Sequence, residues 1–283
     1  MNLMTDEQYA DFFEPYAGNV EKFYESAYWR LSDELIKELV RRHLDVTAGG
    51  HVVDMGGGTG RWGLWLAREL GVSVTVADKS VRMLEEARQA VADSGLTDVH
   101  LVECDIEDAP ELGDQQFDAV ISTYGVLSFL NDPAAAFRTV HRVLKPGGVG
   151  LLMSHSLSNA LTSKVNRDGA GPAELRELLE TRIVRWAPHV PPLRVYSADD
   201  LRRLATDAGL EAPAVFGVTS IAYPGPEDFG YPYTSVSGIS ASLEVEEYFR
   251  TALDLELAAS EQTDWAERGV NLMVKVVRPS THA

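Results

Sequence analysis

The chain has 283 residues, of which 45% are hydrophobic and 24% charged, a composition typical of a folded globular protein rather than a disordered one. Its formal net charge of -18 produces a field that repels nucleic-acid phosphates and anionic bilayers. The densest basic pairs, Arg41-Arg42 and Arg202-Arg203, lie on predicted helices and do not form a patch. We therefore expect no nucleic-acid partner and no membrane partner.

Cys104 is the single cysteine, so no disulfide can form within the chain, which is typical of a reducing compartment. The first residues lack a basic region followed by an apolar core, and no apolar run reaches membrane-spanning length. These features predict a cytoplasmic protein. No spacing of ligand residues predicts a metal site, and the oligomeric state, monomer or homodimer, is left open.

Strands and helices alternate from His51 onward, which predicts an α/β fold with a doubly wound, mainly parallel sheet. Apolar spacing and capping residues set the predicted bounds. The predicted strands are 51–55, 73–77, 99–103, 117–123, 149–153, 213–220 and 269–277, and the predicted helices are 61–70, 80–93, a helix from Asp132-Pro133 to Leu144, 172–186, 197–208 and 243–259.

The turn after the first strand is rich in glycine. Asp54 is followed by Gly56, Gly57, Gly58 and Gly60 before the next helix begins at Arg61. Glycine lets the backbone turn sharply and approach a ligand, and the free N–H groups of the helix start face that turn. This pattern predicts a cofactor-binding turn. The run from Gly58 to Gly63 also fits the dinucleotide pattern G-x-G-x-x-G, so a nicotinamide cofactor remains an alternative at this point.

Three further motifs follow in order. Asp78 ends the second strand and precedes Ser80 and Met83, Cys104-Asp105-Ile106 follows the third strand, and a Leu-Lys-Pro-Gly-Gly turn ends at Gly148. With the glycine turn, they resemble a class I S-adenosylmethionine-dependent methyltransferase of the ubiquinone-methyltransferase-like type. The resemblance covers about half of the chain and favours S-adenosylmethionine over nicotinamide. It implies a Rossmann-like seven-stranded sheet of order 3-2-1-4-5-7-6 with the last strand antiparallel.

The resemblance also implies the cofactor contacts. The glycines Gly56, Gly58 and Gly60 would admit the methionyl and ribose portions, with Asp54 near the amino group. Asp78 would hold the ribose hydroxyls and Ser122 would lie beneath the methionine moiety. The expected contacts to adenine come from Lys79, Met83, Cys104, Asp105 and Ile106.

Segments outside the predicted sheet are expected to select the substrate. Residues 1–50 form a predicted helical cap, and residues 51–283 form the cofactor-binding domain, with insertions at about 157–196 and 221–264. Irregular loops over a rigid sheet commonly carry binding residues. The aromatic and histidine candidates for substrate contact are Tyr16, Tyr24, Tyr28, Trp29, Trp186, His189 and Tyr223. The competing interpretation is that the N-terminal aromatics only pack the cap onto the sheet.

Methyl transfer demands alignment and exclusion of water, and it needs a base only if the acceptor retains its proton. His155 follows the fifth strand at the carboxyl edge of the sheet, where doubly wound folds bind ligands, and is the first candidate base. Tyr124 follows the fourth strand and is a second catalytic candidate. The predicted function is methyl transfer to an oxygen, nitrogen or carbon atom of a small molecule, by analogy in specialised metabolism. The alternatives are a protein or nucleic-acid methyltransferase and a non-methylating protein of the same fold.

Overall fold

The computed structural model describes residues 3–5, 8, 12–13, 24–186, 190–229 and 235–280. The helices of this part are α1 Ala27–His43, α2 Arg61–Leu70, α3 Val81–Ser94, α4 Pro133–Val143, α5 Leu157–Asn166, α6 Pro172–Thr181, α7 Ala198–Asp207, α8 Gly238–Leu243, α9 Glu246–Ser260 and α10 Thr263–Ala266. The strands are β1 His51–Met55, β2 Ser73–Asp78, β3 Val99–Glu103, β4 Phe117–Ser122, β5 Leu144–Ser156, β6 Ile183–Val184, β7 Leu193–Tyr196, β8 Glu211–Val218 and β9 Asn271–Val277. Short 3-10 turns occupy Val126–Phe129 and Pro226–Phe229.

The sheet confirms the predicted fold class. Strands β3, β2, β1, β4 and β5 are parallel neighbours in that order. β9 then pairs antiparallel with both β5 and β8, which gives the predicted 3-2-1-4-5-7-6 arrangement when β8 and β9 are counted as strands six and seven. In the described part of the chain, the sheet has nine strands rather than seven. The two additional strands come from the insertion after β5: β7 pairs with the last two residues of β5, and β6 pairs with β7.

Both faces of the sheet are covered, because its central strands are apolar on both sides. In β1, Val52 packs into the cluster on one face and its neighbour Val53 into the cluster on the other. Successive side chains of a strand point to opposite faces, so a strand buried on both sides reads as a continuous apolar run. The edge where β1, β2 and β4 end therefore lies between two helical layers.

Helix α1 joins the sheet to the insertion at 221–264. Leu35 and Leu39 pack against the sheet, whereas Tyr28 and Leu31 lie in a smaller cluster with Leu243 of α8. Hydrogen bonds extend this second contact. The N–H of Tyr28 donates to Ser240 Oγ at 3.1 Å, Ser240 Oγ donates to Asp228 Oδ1 at 2.5 Å, and Trp29 Nε1 donates to the Asp228 carbonyl at 2.6 Å.

Three predicted elements differ most from the structure. The helix from Pro172 ends at Thr181 rather than residue 186, because Arg182 adopts a left-handed backbone with φ of 60° and β6 follows. β5 begins at Leu144, so the glycines expected to form a turn before it are part of the strand. The helix expected from residue 243 begins at Glu246, after an extended Val245, and α8 precedes it. Among the described residues, no helix combines the length and the apolar character needed to cross a membrane.

Candidate cofactor and acceptor site

The glycine turn between β1 and α2 adopts backbone conformations that favour glycine, and it leaves no room for a side chain at Gly56. Gly56, Gly58 and Gly60 have φ values of 73°, 54° and 78°, in the left-handed region that only glycine adopts without strain. A Cβ built on Gly56 would stand 2.6 Å from Val126 Cγ1. The N–H of Gly56 donates to the Ala77 carbonyl at 2.7 Å, which fixes the turn against the end of β2.

Asp78 braces this turn from the end of β2. Its Oδ2 accepts from the Gly58 N–H at 2.9 Å and its Oδ1 accepts from the Ser80 N–H at 2.8 Å. The residue is only 5% exposed, and burial raises the pKa of its carboxyl group, an effect that the backbone donors oppose. Asp78 therefore shapes the turn. Its contact with the cofactor ribose stays a prediction.

Asp54 is the second buried carboxylate. It is 1% exposed, and neither of its oxygens has a hydrogen-bond partner of good geometry among the described residues. Burial, and then repulsion from Asp78, raise its pKa to about 7, and the nearby N–H of Gly63 lowers it. A buried carboxylate with this little compensation is costly unless a ligand supplies a partner. The turn and its orphaned carboxylate therefore fit a ligand that carries a donor or a positive charge, as the amino and sulfonium groups of S-adenosylmethionine do.

The predicted adenine contacts come together at the ends of β2 and β3. The N–H of Cys104 donates to the Asp78 carbonyl at 3.1 Å, and Lys79 Nζ lies 3.8 Å from Asp105 Oδ2. Met83 is buried outside the described core clusters, and its Sδ lies 3.8 Å from the position of a Cβ on Gly58. This contact places the buried Met83 beside the turn.

Two further residues of this group are buried. Burial raises the pKa of the Cys104 thiol to about 12, so the thiol is neutral near neutral pH. Ile106 belongs to the main core cluster. Ile106 thus supports the predicted adenine side of the site from within the core.

The residues after β4 form the other side of the site. Ser122 Oγ donates to the Met55 carbonyl at 2.7 Å and ties β4 to β1. Tyr124 and Gly125 both have left-handed backbones, with φ values of 51° and 77°. The Tyr124 hydroxyl donates to the carboxylate of Asp33 on α1. Burial, and then the Asp33 charge, raise the pKa of Tyr124 well above its ordinary value, so this phenol stays protonated and is poorly suited to act as a base.

His155 faces the same turn from β5. Its backbone N–H donates to Ser128 Oγ at 2.8 Å. The imidazole atoms Cδ2 and Nε2 lie 2.9 Å from the position a Cβ on Gly125 would occupy, so the ring fills the space that the glycine leaves. The Phe129 ring packs edge-on against it, with centroids 6.5 Å apart. Burial lowers the pKa of His155 to about 4, so its imidazole is neutral at neutral pH.

Two of the predicted substrate residues meet at Tyr124. The Tyr24 and Trp29 rings lie 4.7 and 5.8 Å from the Tyr124 ring, centroid to centroid. Trp62, the second residue of α2, approaches the same ring at 6.1 Å. We call Tyr24, Trp29, Trp62 and Tyr124 the aromatic wall.

Three of the remaining substrate candidates lie elsewhere. Tyr28 is fully buried, with its hydroxyl 2.8 Å from Thr219 Oγ1, and this position fits packing of the cap rather than contact with a substrate. Tyr223 donates to the Arg268 carbonyl at 2.9 Å, and Trp186 packs beneath Lys164 in a separate cluster. Tyr16 and His189 lie outside the described residues.

Sequence reasoning missed Asp33 and Arg61. The Arg61 guanidinium forms an ion pair with Asp33 and lies 4.6 Å from the centre of the Tyr24 ring. A cleft of about 370 Å³ adjoins this pair and is also lined by Lys37 and Phe249. The signal available in the sequence was an arginine directly after the last glycine of the turn, but nothing there pointed to a partner on α1.

Sequence comparison finds similar proteins among methyltransferases. The profile of the methyltransferase-domain family matches residues 52–148. GfsG, a methyltransferase of Streptomyces halstedii, is 38% identical over 117 residues, which is 41% of each chain. The 2-methyl-6-phytyl-1,4-hydroquinone methyltransferase 1 of Oryza sativa subsp. japonica is 42% identical over 106 residues, 37% of this chain and 31% of that protein. The tRNA 5-carboxymethoxyuridine methyltransferase of Escherichia coli K12 is 27% identical over 164 residues, 56% of this chain and 60% of that protein.

Among solved structures, an S-adenosylmethionine-dependent methyltransferase from Mesorhizobium loti superposes with a TM-score of 0.54 at 20% identity, over 90% of this chain and all of that one. This match concerns the fold. The chain spans 31 to 60% of the length of the three curated relatives named above. The matched family and the glycine turn with its two carboxylates place a class I S-adenosylmethionine-dependent methyltransferase domain in this chain, with S-adenosylmethionine as its cofactor.

Proposed function

We propose that this protein transfers a methyl group to a small-molecule acceptor. The acceptor would bind between the aromatic wall and the glycine turn that links β1 to α2, which we call the cofactor turn. One observation carries the proposal: the neutral imidazole of His155 packs against Gly125, and the adjacent Tyr124 forms part of the aromatic wall, at the edge of the sheet where the cofactor turn lies. When bound, the cofactor supplies an electrophilic methyl group on a sulfonium centre. The protein's own task is then to hold both partners in line and exclude water.

Each side of the site has a distinct role in this proposal. Asp78 accepts the ribose hydroxyls, and Asp54 gains the cationic partner that it lacks among the described residues. Met83, Cys104 and Asp105 flank the adenine. The aromatic wall favours a positive centre through its π faces and provides an apolar surface for the acceptor.

His155 accepts the acceptor's proton in this scheme. A pKa of about 4 makes the imidazole a weak base, but one that is available without prior deprotonation at neutral pH. A hydroxyl or amine becomes far more acidic while it gains a methyl group, so a weak neutral base within hydrogen-bond reach suffices. The acceptor's proton goes to an imidazole nitrogen and then to solvent.

The acidic surface favours a small molecule over nucleic acid. The net charge of -18 opposes binding to a polyanion, although one relative methylates tRNA and another acts on a hydroquinone. We extend the proposal to cytoplasmic, specialised metabolism, by analogy with bacterial enzymes that carry large aromatic insertions over the same sheet.

The experiment measures release of S-adenosylhomocysteine with three acceptor sets: phenols and hydroquinones, amines, and unmodified tRNA. Turnover with a small molecule and none with tRNA supports the proposal. Turnover with tRNA alone contradicts the small-molecule assignment. Absence of S-adenosylhomocysteine binding in calorimetry would contradict the cofactor assignment itself.

A further inference from the structure

Three separate elements meet at the side chain of Asp33. Its Oδ1 accepts from the Tyr124 hydroxyl and its Oδ2 from Arg61 Nη2, so each carboxylate oxygen has one donor. Asp33 lies on α1, Arg61 is the first residue of α2 directly after Gly60, and Tyr124 follows β4. One carboxylate therefore connects the cap helix, the cofactor turn and the wall of the proposed acceptor site.

Burial makes this connection sensitive to the loss of a partner. The Asp33 side chain is 4% exposed and that of Arg61 29% exposed. Burial raises the pKa of Asp33, while Arg61 and the Tyr124 hydroxyl lower it and so favour the ionised form. A buried carboxylate that loses one donor keeps its desolvation cost without the compensation, so the three groups hold one another in place.

The same contacts determine the shape of the aromatic wall. Tyr124 is a non-glycine residue in the left-handed region, a conformation that carries an energetic cost for any residue with a Cβ. Its hydroxyl bond to Asp33 offsets part of that cost and directs the ring between Tyr24 and Trp29. Arg61 lies over the face of Tyr24 while paired with Asp33. The orientation of the wall thus depends on Asp33.

We infer that Asp33 is a positioning residue that couples the conformation of the cofactor turn, through Arg61, to the aromatic wall, through Tyr124. The inference rests on the proposed function, since it assigns the turn to the cofactor and the wall to the acceptor. Cofactor affinity and acceptor turnover should then respond together to a change on α1.

The test uses the full chain, three single variants and one double variant, with S-adenosylhomocysteine binding by calorimetry as a readout that needs no acceptor. Asp33→Asn keeps the shape of the side chain and removes its charge. We expect S-adenosylhomocysteine affinity to fall at least tenfold and the binding-induced change in tryptophan fluorescence, with Trp29 and Trp62 as reporters, to disappear. Glu34→Gln is the matched control, because it removes the neighbouring carboxylate, which pairs with Lys37 at the surface. The control should bind like the wild type.

Tyr124→Phe keeps the ring and the ion pair and removes one donor, so it tests the inference even if Asp33→Asn fails to fold. We expect at least threefold weaker S-adenosylhomocysteine binding and, with an active acceptor, a raised KM for the cofactor together with a lower kcat. Because Asp33 mediates both effects, adding Asp33→Asn to Tyr124→Phe should produce less than the product of the two single losses. Wild-type affinity in a folded Asp33→Asn or in Tyr124→Phe would overturn the inference and leave the cofactor assignment intact. A wild-type protein that ignores S-adenosylhomocysteine would instead overturn the proposed function.

Discussion

Replacing Asp54 with asparagine should stabilise the ligand-free protein at alkaline pH while weakening cofactor binding. The pKa of Asp54 rises from 3.8 to about 7 on folding, a shift of about three units, and each unit is worth 1.36 kcal/mol. Keeping this carboxylate ionised therefore costs the native state about 4 kcal/mol above pH 7. The buried amide of asparagine costs about 1–3 kcal/mol of its own, so the net gain should be about 1–3 kcal/mol at pH 8.

The sign of the pH dependence follows from proton uptake. Between about pH 4 and pH 7 the folded protein binds the Asp54 proton more tightly than the unfolded chain does, so this group's contribution lowers stability as pH rises through that range. Below pH 4 both states are protonated and the contribution vanishes. Asp54→Asn removes this slope, so its advantage over the wild type should be present at pH 8 and lost at pH 5.

Urea unfolding of the wild type and Asp54→Asn at pH 5 and pH 8 measures this difference directly. Glu103→Gln is the control, since it removes one carboxylate from the exposed end of β3. Calorimetry at pH 8 should show weaker S-adenosylhomocysteine binding by Asp54→Asn. An equal stability difference between wild type and variant at the two pH values would refute the argument that Asp54 is a strained buried charge.

Three further outcomes are expected. Asp78→Ala should weaken S-adenosylhomocysteine binding by about 1.5–3 kcal/mol in calorimetry, the range for hydrogen bonds to a charged group, and unchanged binding would contradict its assigned contact. His155→Ala should lower turnover by about 10² to 10⁴ with cofactor affinity retained, and a loss below about tenfold would reject His155 as the base. The wild-type rate should fall only as pH approaches about 4, where the imidazole becomes protonated. Gly125→Ala should lower kcat and should lower the free energy of unfolding by about 1–2 kcal/mol in thermal unfolding. The reason is that its Cβ would stand 2.9 Å from the His155 ring and that its φ is 77°. Full activity would show that the ring position is unimportant.

The cofactor turn was predictable because its signals are local. The glycines between Asp54 and Arg61 require a backbone that only glycine adopts easily, and their φ values meet that expectation. The sheet order was available only through family resemblance. The strands β6 and β7 were missed because they have two and four residues, too short for apolar alternation to be recognised.

The acceptor side was less predictable because its contacts join distant parts of the chain. Asp33 lies 28 positions from Arg61 and 91 from Tyr124, and no local pattern links such residues. Tyr24 and Tyr28 looked equivalent in the sequence, but one lies on the aromatic wall and the other is buried against Thr219. The pKa of His155 depends on tertiary burial, which sequence spacing does not reveal.

The double role of α1 bears on how acceptor choice can change in evolution or by design. One part of this helix packs against the sheet, and the other packs against the insertion at 221–264 and carries Asp33 next to the aromatic wall. A cap exchanged as a unit would remove buried leucines from beneath the sheet, at about 2–5 kcal/mol for each one truncated. New specificities are therefore expected to arise by single substitutions on the wall, with the helix itself retained.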